Sequence, residues 1–590
     1  MRRKKTADPL GYGRLLDAWI PPAHAGEALG CFATTFTFHA SFFETECLGR
    51  MLQLECDPDT AGAAYLIERE EKMARLMSAC VVVDRAHARG QRSLRWDLVP
   101  FRTKIGILHA KLSLLLWQNH ARVIVASANL TENGYRQNLE VFTTWDFHRD
   151  GVLPAELFSS AADFASDALA QCQEMNPGES PAIERSRDFL ASARRRVAAW
   201  LPAAASTPRL RTALVPLTPK SGSVLDQVRD LWPSGSPPNT LFVLSPFFDQ
   251  GPVNTPTKTA WETLRKRGGA EIVFSVVAEP IRNSERLLVH APQSLHSALP
   301  DDERQASLSF ERIKMPEGRA LHAKSLWLKG DTHMLHCIGS SNFTSAGLGL
   351  TQLRNWELNV AAWANLDNRD EVRAREAAWP ESEPDKIDPD EVSWEAAPST
   401  EDEADPAALL LPDWCGSAIF FLGESGSGVL KVSFGTSLPE QWSVHDANDT
   451  EVLLDVAHWR SAGSPHAIDL EWRGSRPPTE LVVRADSLSG EARWPVEVRS
   501  FADLPPPLEL RDLSLEQLLE ILTSALPLHR CLQKMWRQSG DDPAASVPSI
   551  ALDPLRRYAR DTHLLERTRR FSLAMTGMRT RLESPIPSEE

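Results

Sequence analysis

The tetrapeptide Leu-His-Ala-Lys occurs twice, at Leu108–Lys111 and Leu321–Lys324, and each copy is followed by Ser-x-Asn. From His109 to Asn129 is twenty residues, and from His322 to Asn342 is twenty again. Each interval holds an apolar strand-like run, a polar turn (118–120 and 330–333) and a second apolar run that closes on the asparagine. On an extended strand residues i and i+2 share a face, so His109 and Lys111 project together, as do His322 and Lys324. The strand that returns from the turn brings Asn129 or Asn342 back to the same sheet end. The chain must therefore build two like units, each presenting one histidine, one lysine and one asparagine.

Hydrolysing a phosphodiester with side chains alone requires three things. A nucleophile must attack phosphorus, an acid must protonate the leaving oxygen, and donors must hold the non-bridging oxygens. Two imidazoles divide the first two tasks, and two lysines and two asparagines supply the third. One H-x-K is a weak signal; two with equal spacing, neither having lost its lysine or asparagine, point to a shared phosphate site. Ser127 and Ser340, beside the asparagines, are candidate phosphate donors or simply small residues at a tight strand end. No cofactor and no metal enters this chemistry. The eight scattered cysteines include no C-x-x-C pair, which gives no zinc site and suits a reduced compartment.

The repeat organises the chain. A first unit is expected over 1–215, with strands at Phe32–Phe38, Val81–Asp84, Leu112–Trp117, Arg122–Ser127 and Leu139–Trp145. Helices are expected at Ala64–Cys80 and Ile183–Leu201. A second unit, 216–365, repeats the order with strands at Leu241–Ser245, Glu271–Val277, Ser325–Leu328, Met334–Ile338 and Glu357–Ala362. Alternating strands and helices predict α/β units with mixed sheets flanked by helices, related by a pseudo-twofold axis. Between Glu376 and Asp405 lie twelve acidic residues, one lysine and four prolines, so 366–407 reads as a solvated acidic, Pro-rich linker. Short β runs over 408–504 (Ala418–Leu422, Val429–Phe434, Val452–Val456, Ala467–Trp472, Glu480–Val483, Pro495–Val498) suggest a small β-sandwich or barrel. The remainder, 505–590, reads as a helical tail, with a capping box at Ser514–Gln517 and eight arginines between Arg556 and Arg581.

The paired motifs LHAKLSLLLW…VIVASANLT and LHAKSLWL…CIGSSNFTSAG resemble the H-x-K…G-S-x-N motifs of the phospholipase D superfamily. Gly339–Asn342 matches the second motif in full, while Ala126–Asn129 lacks its glycine. The aspartate usual five residues beyond the lysine is replaced by Leu116 and Lys329. That absence, SANLT and the string NWELNV (Asn355–Val360) are similar to the tyrosyl-DNA phosphodiesterase branch. The resemblance covers about residues 30–365. It implies a phosphohistidine on His109, acid–base work by His322, and a carboxylate that fixes each ring's tautomer. Glu140 and Glu357 stand on the expected strands; which serves which histidine stays open. It also implies a metal-independent nuclease or DNA-end phosphodiesterase, with DNA favoured over RNA as substrate. Multidomain relatives look like components of bacterial DNA-restriction or phage-defence systems.

A net charge of −15 argues against a polyanion substrate only until it is divided. Residues 1–350 hold 40 Lys+Arg against 37 Asp+Glu, and residues 351–590 hold 24 against 42. The acidity therefore lies outside the repeated motifs. No apolar run is long enough to span a bilayer and no signal-peptide core is visible, so a cytoplasmic protein without a membrane partner is expected. The C-terminal third is expected to recruit a protein partner. Two other readings stay open: a phospholipase or phosphatidyl transferase with the same two-histidine chemistry, and a non-catalytic partner-binding subunit.

Overall fold

The computed structural model describes residues 14–505 apart from 59–62, 92, 177, 202–210, 285, 301–304, 397–409, 424–426, 436, 448–450 and 475, and beyond 505 only 529–531 and 579. The expected capping box at Ser514–Gln517 and most of the arginine-rich segment lie outside the described residues.

The first unit is a six-stranded sheet. Its order is Asp97–Phe101, Ser78–Asp84, Ala28–Thr35, Leu112–Trp117, Ala121–Ala126, Phe142–Phe147. The first three strands are parallel and the rest follow as antiparallel neighbours. Ser78–Asp84 is buried along its whole length, as expected of a strand covered on both faces. Helices Ala155–Met175 and Pro181–Trp200 cover one face. The first of these turns a stripe of Leu157, Phe158, Ala161, Ala162, Ala165, Ala168 and Leu169 inward. Those positions recur at helical spacing, and the alanines let the helix axis approach the sheet closely.

The second sheet has eight strands, in the order Ser382–Ile387, Ala306–Ile313, Ala270–Val276, Thr240–Leu244, Ser325–Lys329, His333–Gly339, Glu357–Asn365, Thr212–Leu217. From Ala306–Ile313 to Glu357–Asn365 its order and strand senses repeat those of the first sheet. The halves share a core: Trp356, Leu358 and Val360 of the second pack in one cluster with Leu112, Leu114 and Phe158 of the first.

Three expectations are corrected. The helix expected over Ala64–Cys80 stops at Met73, and Ser78–Asp84 is a strand. The β-branched run Val81–Val83 prefers a pleated, buried surface to a helix. The acidic stretch is not all linker: Arg369–Glu376 is a helix and Ser382–Ile387 adds an edge strand to Ala306–Ile313. Apolar anchors among the acids decide this. Ile387 pairs with Phe310, and the Trp394 and Phe310 ring centroids are 5.1 Å apart. Trp379 packs on Trp327, with centroids 5.7 Å apart. Thr212–Leu217 straddles the expected 215/216 boundary yet belongs wholly to the second sheet.

Between 410 and 505 two four-stranded sheets enclose one core around Trp414, Phe420, Trp442 and Trp494. This body docks on the first unit. Arg185 pairs with Asp97 at 2.6 Å, donates to the Val498 and Arg499 carbonyls, and stacks over the Phe501 ring at 4.5 Å. Glu497 accepts from Ser180 and from the Ala182 amide at the start of helix Pro181–Trp200; burial pushes its carboxyl up to about 7.

Candidate active site

Each Leu-His-Ala-Lys segment is stitched to the other half of the chain. Leu108 bridges in parallel to Trp356, and the His109 amide donates to the Trp356 carbonyl at 2.9 Å. Reciprocally, Leu321 bridges to Leu139, and the His322 and Ala323 amides donate to the Leu139 carbonyl at 3.0 and 2.8 Å. The backbone thus sets each histidine beside the glutamate that begins or approaches the far half's strand.

The side chains complete the exchange. His109 Nδ1 lies 3.0 and 2.9 Å from the two oxygens of Glu357, and His322 Nδ1 lies 2.6 Å from Glu140 Oε1. A carboxylate on Nδ1 fixes that nitrogen as the donor and leaves Nε2 with the lone pair, the atom that can attack or exchange a proton. The assignment that the sequence left open is thus a crossed one. The two histidines and Glu357 are buried, and Glu140 is nearly so.

Lys111 Nζ donates to the His109 carbonyl at 2.7 Å, and Lys324 Nζ to the His322 carbonyl at 2.6 Å, so each ammonium folds back beside its own histidine. Both lysines are almost fully buried. Burial holds His109 below its ordinary value of 6.5. The Glu357 carboxylate opposes that shift, and the ammonium groups of Lys111 and Lys324 reinforce it. Lys324, from the second copy, therefore acts electrostatically on the histidine of the first. Burial would raise the Glu140 carboxyl, but the attraction of His322 and Lys324 and the bond from Ser127 outweigh it and leave it lowered.

Asn129 is fully buried, its Oδ1 held at 3.4 Å by the Thr35 hydroxyl and by the Thr37 amide. Its Nδ2 meets no hydrogen-bond partner among the described residues, the condition of a donor kept for a ligand oxygen. In Asn342 the buried amide atom without a partner among them is Oδ1, an acceptor; presenting a donor there takes a turn of the amide about its last bond.

Ser127 and Ser340, expected as phosphate donors, are engaged elsewhere. The Ser127 hydroxyl donates to Glu140, and the Ser340 hydroxyl to Glu357 at 2.5 Å. Each also accepts from a strand amide, Val141 or Leu358, at 2.9 Å. A hydroxyl has one proton to donate, and here it goes to the carboxylate. The serines position the glutamates.

Sequence reading missed residues that are themselves duplicated. Asn138 Nδ2 lies 3.4 Å from Glu140 Oε1, and Asn355 Nδ2 lies 3.1 Å from Glu357 Oε1. The signal was an Asn-x-Glu in both halves. Thr131 and Thr344 each accept from the glycine amide three residues on, Gly134 or Gly347, at 3.0 Å. A Cβ on either glycine would fall 2.5 or 2.6 Å from the carbonyl oxygen of Asn129 or Asn342. The full repeated phrase is thus Ser-x-Asn-x-Thr-x-x-Gly, a tight turn that fixes each asparagine. Phe36, half-buried, places its ring 5.6 Å from that of His109 and 6.0 Å from Lys111 Nζ.

The glycine present in one motif copy and absent from the other also has a local cause. Gly339 faces Asn359, whose Oδ1 accepts from the Ser341 amide at 3.1 Å. A Cβ at 339 would lie 2.3 Å from the Leu358 oxygen and 2.6 Å from that Oδ1. In the first copy Phe142 stands opposite, and Ala126 fits.

No family model and no curated protein matches the chain. Among solved structures it is similar to the yeast tyrosyl-DNA phosphodiesterase, at 10% identity and TM-score 0.35, over 57% of this chain and 82% of that one. It is also similar to a polyphosphate kinase from Porphyromonas gingivalis, at 11% identity and TM-score 0.28, over 61% and 42%. Likenesses this loose carry no argument about activity. Among the described residues no helix is long and apolar enough to cross a membrane.

Proposed function

We propose that the chain is a phosphodiesterase that cleaves DNA through a phosphohistidine, with no metal in the chemical step. The observation that carries this reading is the crossed pair of buried His–Glu contacts, each beside a buried lysine that hydrogen-bonds its own histidine's carbonyl. Nε2 of His109, held neutral, attacks phosphorus and forms the N–P bond as the P–O bond to the leaving group breaks. His322, as imidazolium, gives its proton to that oxygen. His322 then takes a proton from water, whose oxygen attacks phosphorus and releases the His109 nitrogen. Lys111, Lys324, Asn129 and Asn342 hold the non-bridging oxygens through both steps, where charge builds most. The ordering of the two histidines rests on the motif resemblance; burial and both lysines disfavour His109 as a cation, which suits a nucleophile. A place in a bacterial DNA-restriction or phage-defence system rests on the motif resemblance alone.

The test is incubation with single-stranded, double-stranded and tyrosine-ended DNA, and with phosphatidylcholine vesicles, in EDTA. Cleavage of DNA that persists in chelator and vanishes in His109→Ala is expected. Turnover of the lipid alone would make the chain a phospholipase. No turnover on any substrate would leave a binding subunit.

A further inference from the structure

Outside the histidine site, another group of ligating side chains converges where the first unit meets the tail. Cys56 follows the turn after the helical segment that ends near Leu52, Glu68 lies on the helix Ala63–Met73, and His529 belongs to the tail. All three are buried, and their donor atoms lie within 4.8 Å of one another. His529 is 3% exposed, yet neither ring nitrogen has a hydrogen-bond partner among the described residues. Its Nε2 comes only to 3.4 Å from Glu55 Oε2 and 4.0 Å from Glu68 Oε1. A buried imidazole whose described polar neighbours are two carboxylates and a thiol, none closer to its Nε2 than 3.4 Å among the ion pairs, is placed as a metal ligand would be.

We infer that Cys56, Glu68 and His529 bind one zinc-type divalent ion that clips the tail segment 529–531 to the first unit. Thiolate, imidazole and carboxylate are the ligand set of zinc. Tetrahedral bonds to sulfur and nitrogen put donor atoms roughly 3–4 Å apart, so the side chains need move by only about 1 Å to close on an ion. Glu68 is oriented for ligation by its own outer contacts: the Glu55 amide at 2.9 Å, the Cys56 amide at 2.8 Å and Lys72 Nζ at 2.8 Å. Glu55, half exposed and paired with Arg530 at 2.5 Å, supplies the fourth position or yields it to water, and marks the way in. The ion displaces the thiol proton of Cys56 to solvent. None of the three residues belongs to the histidine site, so this ion is structural. C-x-x-C spacing could not reveal it, because the ligands come from distant parts of the sequence.

The experiment uses the full chain, stripped with chelator and dialysed against zinc, with cobalt as the spectroscopic substitute. One zinc per chain is expected, with a thiolate-to-cobalt charge-transfer band. Cys56→Ser should abolish that band, and both it and His529→Gln should weaken zinc binding roughly tenfold or more. Zinc should also protect the tail from limited proteolysis in the parent chain and in neither variant. The cobalt band needs no variant, so it remains decisive if a substitution unfolds the protein. Absence of the band, or zinc binding unchanged in both variants, overturns the site and makes His529 a plain ion-pair partner of Glu55.

Discussion

Replacing Glu357 by glutamine keeps the side chain's volume and removes its charge, where that charge bears most on His109. The carboxylate contacts Nδ1 through both oxygens, at 2.9 and 3.0 Å, in a pocket where both groups are buried. As Nε2 bonds to phosphorus the ring gains positive charge, so the contact strengthens toward the transition state and acts on the chemical step. Hydrogen bonds to a charged group contribute about 1.5–3 kcal/mol against about 0.5–1.5 for neutral ones. Losing the charged form therefore costs about 1–2 kcal/mol if the amide oxygen still faces Nδ1. It costs about 3 if the amide turns its NH2 there and forces the wrong tautomer. That range corresponds to a roughly 5- to 150-fold fall in the single-turnover rate of adduct formation. Glu140→Gln acts on His322 instead, so it should slow adduct breakdown more than formation. Rapid-quench assays with end-labelled DNA separate the two steps. Glu357→Gln forming adduct within twofold of the parent would refute the crossed assignment, as would the two variants exchanging phenotypes.

Further outcomes concern pH, one glycine and one buried ion pair. The His109 pKa lies below 6.5, so the nucleophile is lost only as pH falls through that lowered value, and the acid limb of kcat/KM should lie below pH 6.5. Because Glu357 opposes the shift, Glu357→Gln should move this limb to still lower pH even as its plateau falls. The same sign governs stability: a depressed histidine binds more protons unfolded than folded, so its contribution is lost as pH drops from 6.5 through the folded value, which urea titration at several pH values would show. Gly339→Ala should lower stability by about 1–3 kcal/mol, since its Cβ would meet the Leu358 oxygen at 2.3 Å, whereas Ala126→Gly should cost less than about 1; thermal melting compares them. Arg185→Ala leaves Asp97 buried without its cation and should destabilise the first unit by about 3–5 kcal/mol, while loss of its bonds to the Val498 and Arg499 carbonyls loosens the C-terminal β body, seen as earlier proteolysis of 410–505.

The part of the site legible in the sequence was the part encoded locally. His109, Lys111 and Asn129, and their second-copy counterparts, fall at fixed spacing within a strand, a turn and a strand, so periodicity alone places them on one edge. The crossing of glutamates was not legible, because Glu140 meets His322 only through pairing between distant segments. The role of the serine hydroxyls stayed open because a small polar residue at a strand end has the same sequence signature whether its proton goes to phosphate or to a neighbouring carboxylate. In the acidic stretch, charge density outweighed the few residues that decide the matter: Ile387 and Trp394 supply enough apolar surface to hold Ser382–Ile387 on the sheet. Asn138 and Asn355 were legible as a further duplicated phrase, Asn-x-Glu, in the same two halves.

The most direct measurement is the site of the covalent phosphate. Acid-labile phosphoryl–DNA trapped on His322→Ala and mapped by peptide mass spectrometry should reside on His109 and disappear in the His109→Ala chain. A modified residue other than His109, or an adduct that survives loss of His109, would contradict the account.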